Sequence, residues 1–393
     1  MGKKSKASLP PRSAPKNDYA QHFVDTGLRP ANYIYEEGIG TNARFAEYPK
    51  LQKLVALKDQ LVQQRATPPA AIKADLKTFD LTTLPTKFDV ILIDPPWEEY
   101  QQRMEAAAND KAHIEEVWSP QDIAKLQIDA ISESPSFVFL WCGTGISLEW
   151  GRHFLQKWGY RRCEDICWIK SNRESRRNLQ YLHDGVLSPS TEHCLVGIKG
   201  TVRRNFDGHI IHANVDTDVI VSEEPAEGST AKPAELYSVI ERFCNGMRRL
   251  ELFGGDHNKR RGWLTIGKDI SQSDSDPTFW ASQFEGTFEC RVHVDESRKL
   301  PNHLVGTSPE IESLRPKSPT QLREEAEVRI LREHRVKEEA DRIEYQRQVE
   351  AAAEMGIELE PLKPSTPAPL PALTGFVEQH PFNAGVKDTK KVS

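Results

Sequence analysis

The sequence predicts an α/β fold with a mostly parallel central sheet, an N-terminal helical extension and a charged, partly disordered C-terminal tail. Three observations carry this. Short β-branched apolar runs alternate with helical patterns over the middle of the chain. The run Phe88 to Asp94 is continuously apolar between its acids, as a strand buried on both faces should be. The last third changes to polar, Pro-containing and Glu/Arg-dense sequence.

The elements follow in order. Residues 1–16 read as a disordered basic arm, with five basic residues and no acid. Residues 17–66 form the helical extension, in which Leu51, Leu54, Val55, Leu57 and Leu61 recur near helical spacing and Thr67-Pro68-Pro69 ends the helix. Residues 67–285 form the α/β domain. After the strand at Phe88, Ser119-Pro120-Gln121-Asp122 reads as a helix start closed by a capping box. Strands are expected at 137–141, 165–170, 193–199, 218–223, 250–253 and 263–266, with helices at 148–158 and 233–244. Residues 286–393 read as a tail holding a long exposed helix from Leu322 to Ala353 and a Pro-rich linker at 361–373.

Composition narrows the function. The chain has 393 residues and a formal net charge of -6, so any nucleic-acid contact has to come from a local patch. Its six cysteines hold no Cys-x-x-Cys pair, and the reading is reduced thiols without a metal. No apolar run reaches bilayer-spanning length, and the N-terminus lacks the apolar stretch of a signal peptide.

Asp94-Pro95-Pro96-Trp97 directly follows the buried strand, where open α/β sheets bind ligands. An aromatic exocyclic amine is a poor nucleophile until acceptors hold its hydrogens. The Asp94 carboxylate and the Pro95 carbonyl can be two such acceptors. Pro95 and Pro96 stiffen the turn, and Trp97 offers a face on which a base can stack. Trp141-Cys142-Gly143-Thr144-Gly145 reads as a tight strand-to-helix turn rather than a phosphate loop.

The tetrapeptide resembles that of amino-methyltransferases acting on adenine. With Asn17 to Gly27, Trp158 to Lys170, Glu192 to Thr201 and His212 to Asp216, the chain from about 17 to 284 resembles the MT-A family of RNA adenosine N6-methyltransferases. Within that family it is most similar to the non-catalytic subunit type and its plant and fungal counterparts. The resemblance implies a Rossmann-like methyltransferase fold and a nuclear heterodimer that forms N6-methyladenosine in mRNA. In that heterodimer a catalytic partner binds S-adenosylmethionine, while this type of subunit props up its partner and helps hold RNA. For fungal relatives it also implies links to meiosis.

The resemblance further assigns residues. Glu192 falls near the target adenosine. Asp75, Leu76, Lys232, His257 and Asn258 fall at cofactor positions, and Arg161, Arg162, Arg203 and Arg204 at basic positions of the RNA groove. Gly255, Lys268 and Asp269 depart from the catalytic pattern on the cofactor side. By contrast, the intact Asp94 to Trp97 departs from the degraded motif of vertebrate non-catalytic members. The alternative is therefore a chain that is itself an adenine N6-methyltransferase; a DNA adenine methyltransferase would use the same chemistry.

Overall fold

The computed structural model describes residues 35–36, 49–101, 117–171, 187, 190–201, 216–225, 229, 231–293, 295–314 and 319–355. The chain divides into two compact units, Met1–Pro316 and Lys317–Ser393.

A nine-stranded sheet organises the first unit. In chain order its strands are β1 (Tyr35–Glu36), β2 (Ala70–Lys73), β3 (Phe88–Ile93), β4 (Ser132–Trp141), β5 (Arg161–Ser171), β6 (Thr191–Lys199), β7 (Val219–Glu223), β8 (Arg249–Leu252) and β9 (Trp263–Gly267). Their spatial order is β1-β7-β5-β6-β4-β3-β8-β9-β2. Only β6 runs against its neighbours β4 and β5, and every other pairing is parallel. This is a mixed, mostly parallel α/β sheet with helices on both faces, as the alternating pattern predicts.

The helices are α1 (Pro49–Arg65), α2 (Pro120–Ile123), α3 (Ile128–Ile131), α4 (Ile146–Lys157), α5 (Glu235–Phe243), α6 (Pro277–Ser282), α7 (Pro309–Leu314) and α8 (Pro319–Met355). One face of the sheet packs Phe154 and Leu155 of α4, with Ile123, Ile128 and Ile131 of the short helices, against Ile91, Ile93, Val138 and Leu140. On the other face Leu236, Tyr237 and Ile240 of α5 meet Val90, Leu92, Phe139 and Trp168. Phe88–Ile93 is buried at every position, so β3 lies at the centre of both cores.

Several elements differ from the sequence reading. Tyr35–Glu36, within the expected helical extension, pairs in parallel with β7, because that strand otherwise ends the sheet. Ala70–Lys73 adds a strand beside β9 that its Ala-rich sequence does not announce. The Ser119 cap is present, but its reciprocal bond runs from the hydroxyl to Asp122 Oδ2 at 2.7 Å and not through the Ser119 backbone. Pro233 lies ahead of α5, whose first residue is Glu235.

After α6 the chain forms an antiparallel hairpin of β10 (Thr287–His293) and β11 (Glu296–Pro301), then α7. Arg65 places its guanidinium 3.5 Å from the Phe288 ring centroid, and Ile311 of α7 packs on Leu51, Leu54 and Val55 of α1. In the second unit α8 is the long helix expected, with Val328, Leu331, Val336 and Ile343 all exposed. The basic arm at 1–16 and the Pro-rich stretch at 361–373 lie outside the described residues.

Candidate functional site

Three strands and one loop bring charge to the carboxyl edge of the sheet. Asp94 follows β3. Lys170 is near the end of β5. Glu192 opens β6, which is antiparallel and so starts at this edge. Lys232 sits just before α5. Their side chains form a chain of alternating charge. Lys170 Nζ is 2.6 Å from Glu192 Oε1, Lys232 Nζ is 3.0 Å from Glu192 Oε2, and Lys232 Nζ is 3.4 Å from Asp94 Oδ1. The Tyr100 hydroxyl donates to Glu192 Oε2 at 3.4 Å, and the Tyr100 ring lies under the Lys232 ammonium at 3.9 Å from its centroid.

Burial sets the electrostatics. Lys170, Glu192 and Lys232 expose less than a tenth of their side chains. Asp94 is pushed up to about 7, chiefly by burial and then by the Glu192 charge, against the pull of Lys232. The motif thus carries a carboxyl held above the ordinary range, facing an ammonium of its own chain.

The rest of the motif is committed to structure. Trp97 is 3% exposed. Its indole N–H donates to the Trp141 carbonyl at 2.8 Å, and its ring lies parallel to Phe154 at 6.1 Å. The expected role for Trp97, stacking on a base, is therefore corrected: its faces belong to the core between β4 and α4. The Pro95 carbonyl accepts from Trp97 N at 2.9 Å, and the Pro96 carbonyl accepts from Trp118 N at 3.0 Å. Residues 98–101 continue as a helical turn.

That turn is latched by Glu99. Its carboxylate accepts from Thr144 N and Gly145 N at 3.0 Å each, and from Ser147 Oγ at 2.6 Å. Gly143, at a φ of 61°, allows this approach, since a side chain there would meet Glu99. The Gly-x-Gly segment is a strand-to-helix turn, as read, and its amides are satisfied from within the chain.

Each residue assigned to the cofactor has its own setting in the chain. Asp75 is exposed and accepts from Lys77 N at 2.9 Å, closing its own turn. Leu76 is a core residue, 7% exposed. Asn258 donates to Glu251 Oε1 at 2.9 Å and to the Tyr237 hydroxyl at 3.0 Å, and accepts from Gly255 N at 2.8 Å. His257 is exposed on the one-turn helix Asp256–Asn258. Trp118 lies edge-on to Phe253 at 4.8 Å beside the motif. Phe253 itself has a φ of 66°, a left-handed conformation costly for a bulky side chain.

S-adenosylmethionine is a cation with a carboxylate and a hydroxyl-rich ribose. The carboxylates that would favour its charge already hold Lys232, and the amide assigned to its ribose holds Glu251. Lys232 and Asn258 are thus engaged within the chain, while Leu76 lines a cavity together with Phe79 and Trp118. The Gly254–Gly267 crossing is closed: a Cβ at Gly267 would overlap the Gly254 carbonyl. Gly267→Ala is expected to destabilise the chain by about 1–3 kcal/mol, read from the urea midpoint.

Arg161 and Arg162 begin β5, at the amino edge, whereas Lys170 and the motif lie at the carboxyl edge. Arg203 and Arg204 lie outside the described residues. Arg248 is structural, 2.6 Å from Asp89 and 3.2 Å from Glu133. Sequence reasoning missed Glu99, Tyr100, Trp118, Lys170 and Glu251; each draws its role from contacts remote in sequence.

Residues 88–269 match the MT-A70 family. Over 308 residues the chain is 47% identical to a Drosophila melanogaster protein named N(6)-adenosine-methyltransferase non-catalytic subunit METTL14, covering 78% of this chain and 73% of that one. The chain belongs to the MT-A70 family. A Xenopus laevis protein of the same name is 49% identical over 307 residues, of which this MT-A70 chain spans 63% of the length. An Arabidopsis thaliana protein named N6-adenosine-methyltransferase non-catalytic subunit MTB is 51% identical over 226 residues, 56% of this MT-A70 chain and 28% of that protein. The intact Asp94 to Trp97 thus stands in a chain similar to relatives named non-catalytic.

Proposed function

We propose that this chain is the RNA-binding, structural and allosteric subunit of a nuclear mRNA N6-adenosine methyltransferase heterodimer. A catalytic MT-A70 partner binds S-adenosylmethionine and transfers its methyl group. The single observation behind this is Lys232 held between Asp94 and Glu192, with the groups assigned to the cofactor engaged elsewhere in the chain. The ammonium neutralises the carboxylates that would polarise an amine or attract a sulfonium. Trp118 packs edge-on to Phe253 beside the motif. Among the described residues no helix is long and apolar enough to cross a membrane, and no group of His, Cys, Asp and Glu could hold a metal.

The expected result is no heat of binding when the purified chain is titrated with S-adenosylmethionine in a calorimeter. In the reconstituted pair, Asp94→Ala should leave methyl transfer to RNA within about threefold of the parent, while the equivalent change in the partner abolishes it. Micromolar binding by this chain alone, with loss of transfer only on changing Asp94, would establish the second reading. That reading, a catalytically active chain, is favoured by the intact motif and by the raised Asp94 carboxyl.

A further inference from the structure

Arg249 opens β8, and its side chain is fully buried. Its three guanidinium nitrogens have no hydrogen-bond partner among the described residues. A buried charge is ordinarily paired, because the solvation that an ion loses has to be replaced. An arginine keeps its proton inside a folded protein, so the guanidinium cannot escape this cost by becoming neutral.

The surroundings add further donors. The place where a Gly262 side chain would begin lies 3.2 Å from Arg249 Nη1 and 3.3 Å from Ala66 Cβ, which sets the guanidinium beside the turn that follows α1. On either side of Ala66, Arg65 Nε and the Thr67 hydroxyl are buried and likewise have no hydrogen-bond partner. Arg261 Nη2 donates to the Ala66 carbonyl at 3.1 Å, so a third cation stands at the same turn. Gly262 N donates to the Thr67 carbonyl at 2.9 Å and fixes the turn to the start of β9.

Among the described residues no acid pairs with Arg249. Asp89 and Glu133 are held by Arg248, at 2.6 and 3.2 Å. Glu241 accepts at 2.8 Å from the indole N–H of Trp263, the residue that faces Arg249 across the sheet. Burial and the Asp89 charge push the neighbouring Cys244 thiol up to about 12, against the pull of Arg249, so it stays neutral.

We infer that Arg249, with Thr67 and Arg65 Nε, forms an internal site for a small inorganic anion of halide size. A halide accepts from several donors at once and also balances the guanidinium charge, whereas a water molecule does only the first. Arg249 is 0% exposed, which puts the site beyond the reach of a nucleic-acid phosphate. The anion fastens the end of α1 to the starts of β8 and β9. The site is independent of the Asp94 motif and of RNA binding.

Thermal unfolding of the full-length chain tests it, in sodium chloride and in sodium gluconate at one ionic strength. The gluconate anion is too large for a closed site. With chloride at about ten times its Kd, the parent midpoint should be roughly 3–5 °C higher than in gluconate. In Arg249→Met, which keeps an apolar stem and removes the charge, the two salts should give the same midpoint. Crystals of the reconstituted pair soaked in bromide should show an anomalous peak within hydrogen-bond distance of the Arg249 guanidinium, a readout that needs no variant to fold. Equal parent midpoints in the two salts, a chloride effect that survives in Arg249→Met, or no bromide peak beside Arg249 would each overturn the site.

Discussion

Glu192→Ala is expected to destabilise the chain by about 3–5 kcal/mol, the largest effect of any substitution at the motif edge. Glu192 is 3% exposed and is the acid that Lys170 and Lys232 share, at 2.6 and 3.0 Å. Removing it leaves two ammoniums at close quarters in a site of low polarisability, with Asp94 at 3.4 Å as the acid in contact with Lys232. Their mutual repulsion and lost hydrogen bonds both disfavour the native state. Guanidinium unfolding of the purified chain measures the cost. The same substitution in a Lys170→Met background should cost markedly less, because one of the two stranded charges is gone. Equal costs in the two backgrounds would show that Glu192 acts through packing alone.

The second expected result concerns pH. Burial pushes the Glu251 carboxyl up to about 8, against its hydrogen bonds with Tyr237 and Asn258 and the pull of Arg260. The unfolded chain releases that proton near the ordinary value of 4.5, so folding takes up a proton between these limits. The stabilising contribution is full below about 4.5, declines as pH rises and is gone once the pH has passed about 8. Glu251→Gln removes the titration. Its carbonyl can still accept from the Tyr237 hydroxyl, at 2.6 Å in the parent, and its amide replaces Oε2, which has no hydrogen-bond partner. The parent should therefore lose stability relative to Glu251→Gln from pH 6 to 9, by on the order of 3 kcal/mol. Unfolding midpoints measured at both ends of that range decide it; parallel curves would remove Glu251 as a titrating group.

Much of the fold is legible in the sequence because buried parallel strands leave an unmistakable local trace. Phe88–Ile93, Phe137–Trp141 and Trp263–Ile266 are short apolar runs between polar turns, and each is a strand. The long helix at 319–355 is equally plain from its dense charges. The elements that went unread are the marginal ones. Ala70–Lys73 is a strand because β9 offers it an edge, and β10, β11 and α7 are ordered through Arg65 and the apolar face of α1. The contacts that order them are remote in sequence.

The same division holds at the site. Asp94-Pro95-Pro96-Trp97, its place after β3 and its family are properties of consecutive residues, and the sequence by itself determined them. Whether those residues face a ligand was decided only by tertiary structure. Trp97 turns into the core, Trp118 packs edge-on to Phe253 beside the motif, and Lys232 crosses from the α5 side to meet Asp94 and Glu192. The physical reason is that a buried carboxylate needs a counter-charge. Here the chain supplies that charge itself, from a residue 138 positions beyond Asp94, so an intact motif coexists with a carboxylate paired from within the chain.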